Sequence, residues 1–133
     1  MSIAVPRFSQ DRIREILAAN NPSCLDTDPP LVPAAVLVPL LAAPDDFRVI
    51  FTVRTSLVDT HKGQISFPGG AMDSEDTSLD VTAVRETYEE VGIAPEDIPL
   101  LGRLNEYPTR TSHFVITPYV GVVPYPYAYS LSQ

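Results

Sequence analysis

The stretch FPGGAMDSEDTSLDVTAVRETYEEVGI, residues 67–93, decides how this chain folds. It joins a Gly-Gly pair to a helix-forming segment that carries three glutamates, Glu86, Glu89 and Glu90. At about 100° per residue, positions i, i+3 and i+4 share one helix face, so the three carboxylates converge on a small patch. Such a patch suits a hard divalent cation such as Mg²⁺, which prefers oxygen ligands.

The energetics of this helix also favour a metal site over a solvated face. Like charges at these spacings destabilise a helix by about 0.2–0.5 kcal/mol per pair, and the dipole disfavours anions in the last turns. Arg85 can neutralise Glu89, whereas Glu86 and Glu90 are expected to lack a basic partner within one turn. The apolar side chains predict a packing face opposite the glutamates: Val81, Val84, Tyr88 and Val91.

The glycine pair precedes the run Arg85-Glu86-x-x-Glu89-Glu90 by about fifteen residues. Gly69 and Gly70 permit backbone conformations that are closed to other residues, and they let a ligand approach the chain closely. Pro68 stiffens the entry. The sequence therefore predicts a glycine turn beside the carboxylate patch.

Together these residues carry a family resemblance. Gly70, Asp76 and the run Arg85-Glu86-x-x-Glu89-Glu90-x-Gly92-Ile93 resemble the Nudix box, here residues 70–93. The usual box has a Glu in place of Asp76 and seven residues before the Arg, whereas residues 77–84 make eight here. With this aspartate and this spacing, the box resembles that of the coenzyme A diphosphatase branch of the Nudix hydrolases. The blocks at 50–70 and 111–123 also resemble this branch.

The resemblance implies an α/β fold: a Nudix-type α/β/α sandwich with a mixed β-sheet, C-terminally short. We expect residues 1–33 to form an N-terminal helix and an irregular arm, and residues 34–133 to form the domain. Hydrophobic periodicity predicts helices at 9–19 and 78–91, the second capped by Thr77 or Ser78 and ended by Gly92. Strands are predicted at 34–41, 47–54, 64–67, 100–107 and 114–123.

The implied activity is metal-dependent cleavage of the diphosphate of coenzyme A or acyl-coenzyme A to 3′,5′-ADP and 4′-phosphopantetheine, with Mg²⁺ or Mn²⁺. Two alternatives stay open: the same chemistry on another nucleoside diphosphate derivative, such as ADP-ribose or NADH, and a Nudix-fold domain that only binds.

The resemblance also implies roles for individual residues. Glu86, Glu89 and Glu90, with the carbonyl of Gly70, are expected to hold the metal. Glu89 or Glu86 would act as the base for the attacking water, and Arg85 would orient carboxylates, among them Asp76 and Glu89. The expected substrate-binding residues are Arg54, His61, Lys62 and Gly69.

Composition limits the partners. The formal net charge of −8 over 133 residues argues against binding to nucleic acid or an anionic membrane. No apolar run approaches the ~18–20 residues of a membrane span. The single cysteine, Cys24, cannot form an internal disulfide, and with no signal-peptide pattern we expect a cytoplasmic protein. A short sheet edge would be covered by a partner, so a homodimer is plausible on this sequence.

Overall fold

The computed structural model describes residues 9–20, 30–42, 47–53, 65–109 and 113–123. Two α-helices, a 3₁₀ turn at Pro95–Asp97 and eight strands follow one another along these residues. The helices are α1 (Gln10–Asn20) and α2 (Leu79–Val91). The strands are β1 (Val32–Ala42), β2 (Phe47–Val49), β3 (Thr52–Val53), β4 (Ile65–Ser66), β5 (Gly69–Ala71), β6 (Leu100–Arg103), β7 (Tyr107–Pro108) and β8 (Phe114–Val123).

Six of the strands form one mixed sheet. Its main path runs β2-β1-β8-β6, with β5 also paired to β1 and β7 to β8. The two long central strands, β1 and β8, are parallel, and their pairing runs from Val32 opposite Phe114 to Leu41 opposite Val123. The other pairs in this sheet are antiparallel. The predicted mixed sheet is confirmed.

The two helices pack on opposite faces of the sheet. Successive side chains of a strand point to opposite faces. On β8, Val123 joins the cluster that contains Ala83 of α2, whereas Val120 and Val122 join the cluster that contains Leu17 of α1. The fold is therefore the predicted α/β sandwich.

Helix and strand limits agree closely with the sequence at 9–19, 78–91 and 114–123. Two strand predictions were wrong. The run 47–54 divides because β2 pairs with β1 whereas β3 leaves the main sheet to pair with β4; the Ile50 N–H still donates to Pro39 O at 3.1 Å, in register with the β1–β2 pairing. The run 100–107 divides into β6 and β7 at residues 104–106: Arg103 lies opposite Tyr119 and Tyr107 opposite Ile116, so this segment has one residue more than the facing part of β8.

In the described part of the chain, neither helix has the length and apolar character needed to cross a membrane.

Candidate active site

The glycine pair lies in a strand, not in a turn. Gly69 and Gly70 form β5 and pair antiparallel with Val36 and Ala35 of β1. Among the described glycines, a positive φ occurs at Gly92 and Gly102 and not at this pair. The predicted glycine turn was therefore wrong. Since any residue can adopt the extended backbone of a strand, the backbone conformation does not explain why these two positions are glycine.

Close packing explains the glycines instead. A Cβ at Gly69 would lie 2.3 Å from the Ala35 carbonyl oxygen. A Cβ at Gly70 would lie 2.8 Å from both Cδ and Oε1 of Glu86. The group that approaches Gly70 is the Glu86 side chain of α2, and the predicted approach of a ligand stays a prediction. The glycine backbone and the first glutamate of the patch are in direct contact.

The ends of α2 are set by local chemistry. Ser78 is the N-cap, with extended backbone, but its hydroxyl donates to the Asp80 carboxylate and does not accept a capping hydrogen bond from the backbone N–H groups of the first turn. At the other end Gly92 has φ 78°, and its N–H donates to Tyr88 O at 2.9 Å. A left-handed residue that closes a helix in this way is usually glycine. The predicted end at Gly92 is confirmed.

The buried face of α2 matches the predicted one in part: Val91 is buried and Val84 packs against the core, as predicted. Its buried residues are Thr82, Ala83, Thr87 and Val91. Tyr88, which was predicted to pack, is 56% exposed. Small side chains allow the helix to lie close to β1 and β5. The hydroxyl groups are satisfied locally, since Thr87 Oγ1 donates to Ala83 O at 2.7 Å.

This rotation changes where the glutamates lie. At about 100° per residue, Glu86 and Glu90 are roughly 60° and 20° around the helix from buried Ala83, whereas Glu89 is roughly 120° away. Accordingly the Glu86 side chain is 19% exposed and that of Glu89 is 54% exposed. The prediction that the glutamates face away from the packing side holds for Glu89 and was wrong for Glu86 and Glu90, which are partly buried. Glu86 and Glu90 lie at the edge of the buried face and are partly buried, whereas Glu89 lies further around the helix and is exposed.

Arg85 is held by a buried carboxylate. Its Nε donates to Asp76 Oδ1 and its Nη2 to Asp76 Oδ2, both at 2.9 Å. The Asp76 side chain is 3% exposed and that of Arg85 is 26% exposed. The hydrogen bond from Arg85 is the largest influence holding the pKa of Asp76 well below its usual range. The same hydrogen bond to Asp76 raises the pKa of Arg85.

The remaining end of the guanidinium reaches the glutamates. Arg85 Nη1 donates to Glu86 Oε1 at 3.1 Å and to the Glu89 oxygens at 3.2 and 3.3 Å. The expectation that Glu86 lacks a basic partner within one turn was wrong, because its sequence neighbour supplies one. The expected contacts of Arg85 with Asp76 and Glu89 are both present.

The loop that delivers Asp76 was not predicted as part of this arrangement. Asp76 N–H donates to Asp73 O, and Asp73 N–H donates back to Asp76 Oδ2. The Oδ2 atom also accepts from the hydroxyl of buried Thr82 at 2.8 Å. The signal in the sequence is two aspartates three residues apart before a helix, a spacing typical of a side chain that bonds nearby backbone.

Not all of the predicted site residues are brought together in the described structure. Gly70 lies beside Glu86, Gly69 lies against Ala35 and Val36 of β1, and Glu90 is partly buried on the same helix as Glu86. The predicted substrate-binding residues Arg54, His61 and Lys62 lie outside the described residues.

Comparison with known proteins identifies the arrangement. The NUDIX domain family matches residues 31–125. The chain belongs to the Nudix family. It is 42% identical over 100 residues to the uncharacterized Nudix hydrolase NudL of Klebsiella pneumoniae, covering 75% of this chain and 51% of that protein. The NudL protein of Klebsiella aerogenes is 43% identical over 91 residues, covering 68% of this chain and 74% of that protein. This Nudix chain thus spans about half the length of its Klebsiella pneumoniae relative.

Solved structures agree on the Nudix fold. The Caenorhabditis elegans Ap4A hydrolase in a binary complex superposes with a TM-score of 0.62 at 20% identity, covering 77% of this chain and 73% of that one. The NUDIX domain of Shewanella oneidensis NrtR, solved with ADP ribose, superposes with a TM-score of 0.59 at 20% identity, covering 90% of this chain and 76% of that one. At this identity the similarity concerns the fold.

The donor chemistry fits the divalent metal that Nudix hydrolases generally use. Carboxylates from one helix stand beside a glycine strand whose backbone they touch, and oxygen donors are what Mg²⁺ and Mn²⁺ prefer. In the present side-chain arrangement, no three His, Cys, Asp or Glu side chains within the described ranges are gathered closely enough to hold a metal ion. Arg85 instead supplies the positive charge shared by Glu86 and Glu89.

Proposed function

We propose that this chain is the Nudix domain of a metal-dependent pyrophosphohydrolase that cleaves the diphosphate of coenzyme A or acyl-coenzyme A. The products would be 3′,5′-ADP and a 4′-phosphopantetheine. The observation that carries the hydrolase assignment is the contact of Glu86 with Gly70, on a helix that also bears Glu89 and Glu90. The resemblance of residues 50–70 to the coenzyme A diphosphatases supports the choice of substrate.

The reaction adds water across a phosphoric anhydride. The water oxygen forms a bond to one phosphorus, the bridging P–O bond breaks, and the water loses a proton to a base. A bound Mg²⁺ or Mn²⁺ would neutralise phosphate charge and polarise the phosphoryl oxygens. We assign Glu86 and Glu90, with the Gly70 carbonyl, as the ligands for that ion.

The difference in exposure separates the roles of Glu86 and Glu89. Glu86 is 19% exposed and packs against Gly70, which suits a fixed ligand. Glu89 is 54% exposed and is oriented by Arg85 Nη1, so it can reach a water molecule at the surface of the site. We therefore assign Glu89 as the general base. Arg54, His61, Lys62 and Gly69 remain the proposed contacts for the phosphates.

The function is tested by product chromatography. Purified protein is incubated with coenzyme A, ADP-ribose and NADH, each with Mg²⁺ or Mn²⁺ and with EDTA. We expect metal-dependent release of 3′,5′-ADP from coenzyme A. Glu90→Gln should abolish that release. Glu96→Gln, which removes an exposed carboxylate in the 3₁₀ turn after α2, is the matched control and should retain it.

Three other outcomes would overturn parts of this proposal. Turnover of ADP-ribose or NADH alone would assign a different nucleoside diphosphate derivative. Full metal-dependent turnover by Glu90→Gln would remove Glu90 from the site. A stably folded protein that binds Mn²⁺ and turns over none of the substrates would indicate a domain that only binds.

The assignment of roles has its own test. Glu89→Gln should lower kcat by roughly 10²–10⁴-fold, the usual contribution of a general base, and leave Mn²⁺ affinity nearly unchanged. Glu86→Gln should instead weaken Mn²⁺ binding. The reverse pattern would exchange the two roles.

The cytoplasmic location and the homodimer are further proposals from the sequence. Size-exclusion chromatography with light scattering tests the second, and a monomer at all concentrations would contradict it.

A further inference from the structure

Two phenylalanine rings stack on each other beside the glycine strand. The ring centroids of Phe51 and Phe67 lie 4.8 Å apart, and the ring planes meet at 26°. Thr52 pairs with Ser66 in the two-stranded sheet of β3 and β4, so the two rings occupy the next pair of positions along that ladder. Phe67 is partly buried, whereas Phe51 is 52% exposed. The stack therefore presents aromatic surface to solvent.

The stack is held close to the proposed metal site. Phe67 lies three residues before Gly70, so their Cα atoms are at most about 11 Å apart. The segment between them is fastened to β1, because the Leu37 N–H donates to the carbonyl of buried Pro68 at 2.9 Å. In a nucleoside diphosphate, one ribose and one phosphate separate the base from the second phosphate, which is a span of similar length. A diphosphate at Gly70 would thus place its base within reach of the rings.

Contact between two rings on neighbouring strands explains their pairing but not the exposure of Phe51. Cross-strand aromatic pairs stabilise a small sheet through the apolar surface that they bury. An exposed ring that is supported by another ring can, in addition, receive the flat face of a nucleotide base, because every base has a π-face. Such stacking needs no positive charge, which suits an anionic ligand on a chain of formal net charge −8.

We propose that Phe51, supported by Phe67, is a substrate-binding residue on which the adenine ring of the substrate stacks while the diphosphate lies at Gly70 and the glutamates of α2. This inference rests on the proposed function, since it requires a nucleoside diphosphate derivative at that site. It assigns the adenine end of coenzyme A to the side of the glycine strand where β3 and β4 lie, and it directs the pantetheine arm away from the two rings.

Steady-state kinetics with coenzyme A gives the first test. Phe51→Leu keeps an apolar side chain but removes the aromatic face, and we expect it to raise KM by about fivefold or more, the effect of losing a base–aromatic stack. Its kcat should change less than about twofold, because a contact made equally in the ground state and the transition state affects KM alone. Phe51→Trp restores an aromatic face and should return KM to within about twofold of the unmodified value.

Tyr107 provides a matched control. Its ring is 44% exposed on β7, which pairs with β8 and not with the glycine strand. Tyr107→Leu removes an exposed aromatic face in the same way, and it should change KM less than about twofold, since no base stacks there in the proposed arrangement. Circular dichroism spectra that match the unmodified chain show that the variants are folded.

A second test detects the stack directly and needs no turnover. The chain contains no tryptophan, so Phe51→Trp introduces a single fluorophore at the proposed platform, and Tyr107→Trp introduces one at the control position. Each variant is titrated with 3′,5′-ADP and with 4′-phosphopantetheine in the presence of Mg²⁺. Because a stacked purine quenches indole emission, we expect saturable quenching in Phe51→Trp by 3′,5′-ADP alone. Tyr107→Trp should show no saturable quenching by either compound.

The outcomes separate this inference from the proposed function. Metal-dependent hydrolysis of coenzyme A with an unchanged KM in Phe51→Leu would overturn the stacking role and leave the hydrolase assignment intact. Quenching by 4′-phosphopantetheine in place of 3′,5′-ADP would do the same. An unmodified chain that turns over none of the substrates would overturn the proposed function. An absence of quenching in Phe51→Trp would overturn this inference whether or not turnover is seen.

Discussion

Gly70 and Glu86 occupy complementary space: a methyl carbon at residue 70 would lie 2.8 Å from the carboxyl carbon of Glu86. The glutamate can lie flat against β5 only because that strand has no side chain at this position. The position of the carboxylate in the site therefore depends on a glycine in another element.

Gly70→Ala tests this dependence. The added methyl group should displace the Glu86 carboxylate and lower kcat by roughly tenfold to hundredfold, because small misplacements of catalytic groups have effects of that order. Steady-state kinetics with coenzyme A measures the loss. Gly121→Ala is the control for strained packing, since its Cβ would lie 2.9 Å from Ile98 and 3.0 Å from Leu37 in the core and would not contact Glu86. A Gly70→Ala enzyme with unchanged kcat would contradict the proposed fit.

The end of α2 provides a stability prediction. Gly92 has φ 78°, a conformation that costs an alanine about 1–2 kcal/mol. Gly92→Ala should therefore lower the free energy of unfolding by about 1 kcal/mol, and Gly92→Asn by less, since asparagine tolerates the left-handed region. Urea denaturation gives both values. Equal losses for the two variants would show that the backbone conformation is not the cause.

A substitution in the core around β1 should lower the free energy of unfolding by more than the change at Gly92. Leu37 is fully buried between the strand and α2, and Leu→Ala at such a site costs about 2–5 kcal/mol. Val32→Ala, on the same strand at 49% exposure, should change stability by less than about 0.5 kcal/mol. Chemical denaturation of the two variants distinguishes them, and similar losses would contradict the placement of Leu37.

Asp76 predicts a response to acid. Its pKa in the folded chain lies well below the ordinary value of 3.8, chiefly because of the hydrogen bond from Arg85. The native state therefore binds this proton later than the unfolded state as the pH falls. The stabilisation is present above the ordinary pKa and is lost as the pH falls through the lower, folded value.

The Asp76→Asn variant checks this sign. It should be less stable than the unmodified chain at pH 7, and the difference should shrink as the pH falls below about 4. Free energies of unfolding measured between pH 2 and 7 test the trend. A difference that is constant across this range would show that Asp76 contributes through packing and not through its charge.

Much of the fold follows from the sequence where one segment carries its own signal. The α2 limits follow from periodicity and from Gly92, and β8 follows from a run of β-branched and aromatic residues. The break between β2 and β3 does not, because it depends on the different partners of the two strands, β1 for β2 and β4 for β3. Such tertiary preferences override local propensity.

The site was predicted in its composition and less well in its geometry. The glutamates and Arg85 stand out in the sequence, but the helix face that packs was misassigned. Thr82 and Thr87 are polar in type, yet they are buried because their hydroxyls find partners within the helix and its preceding loop. Similarly, the reason for Gly70 lies in the position of Glu86, sixteen residues away.

The parallel pairing of β1 with β8 has a consequence for how the domain forms. Val32 lies opposite Phe114, so the two central strands are separated by most of the domain's sequence. Contacts between distant segments slow folding, because a large loop must close before they stabilise it. On the ribosome, β1 remains without its central neighbour until β8 has emerged. The central pairing of the sheet therefore waits for β8, and the proposed metal ligands on α2 are synthesised before the surface that they pack against is complete.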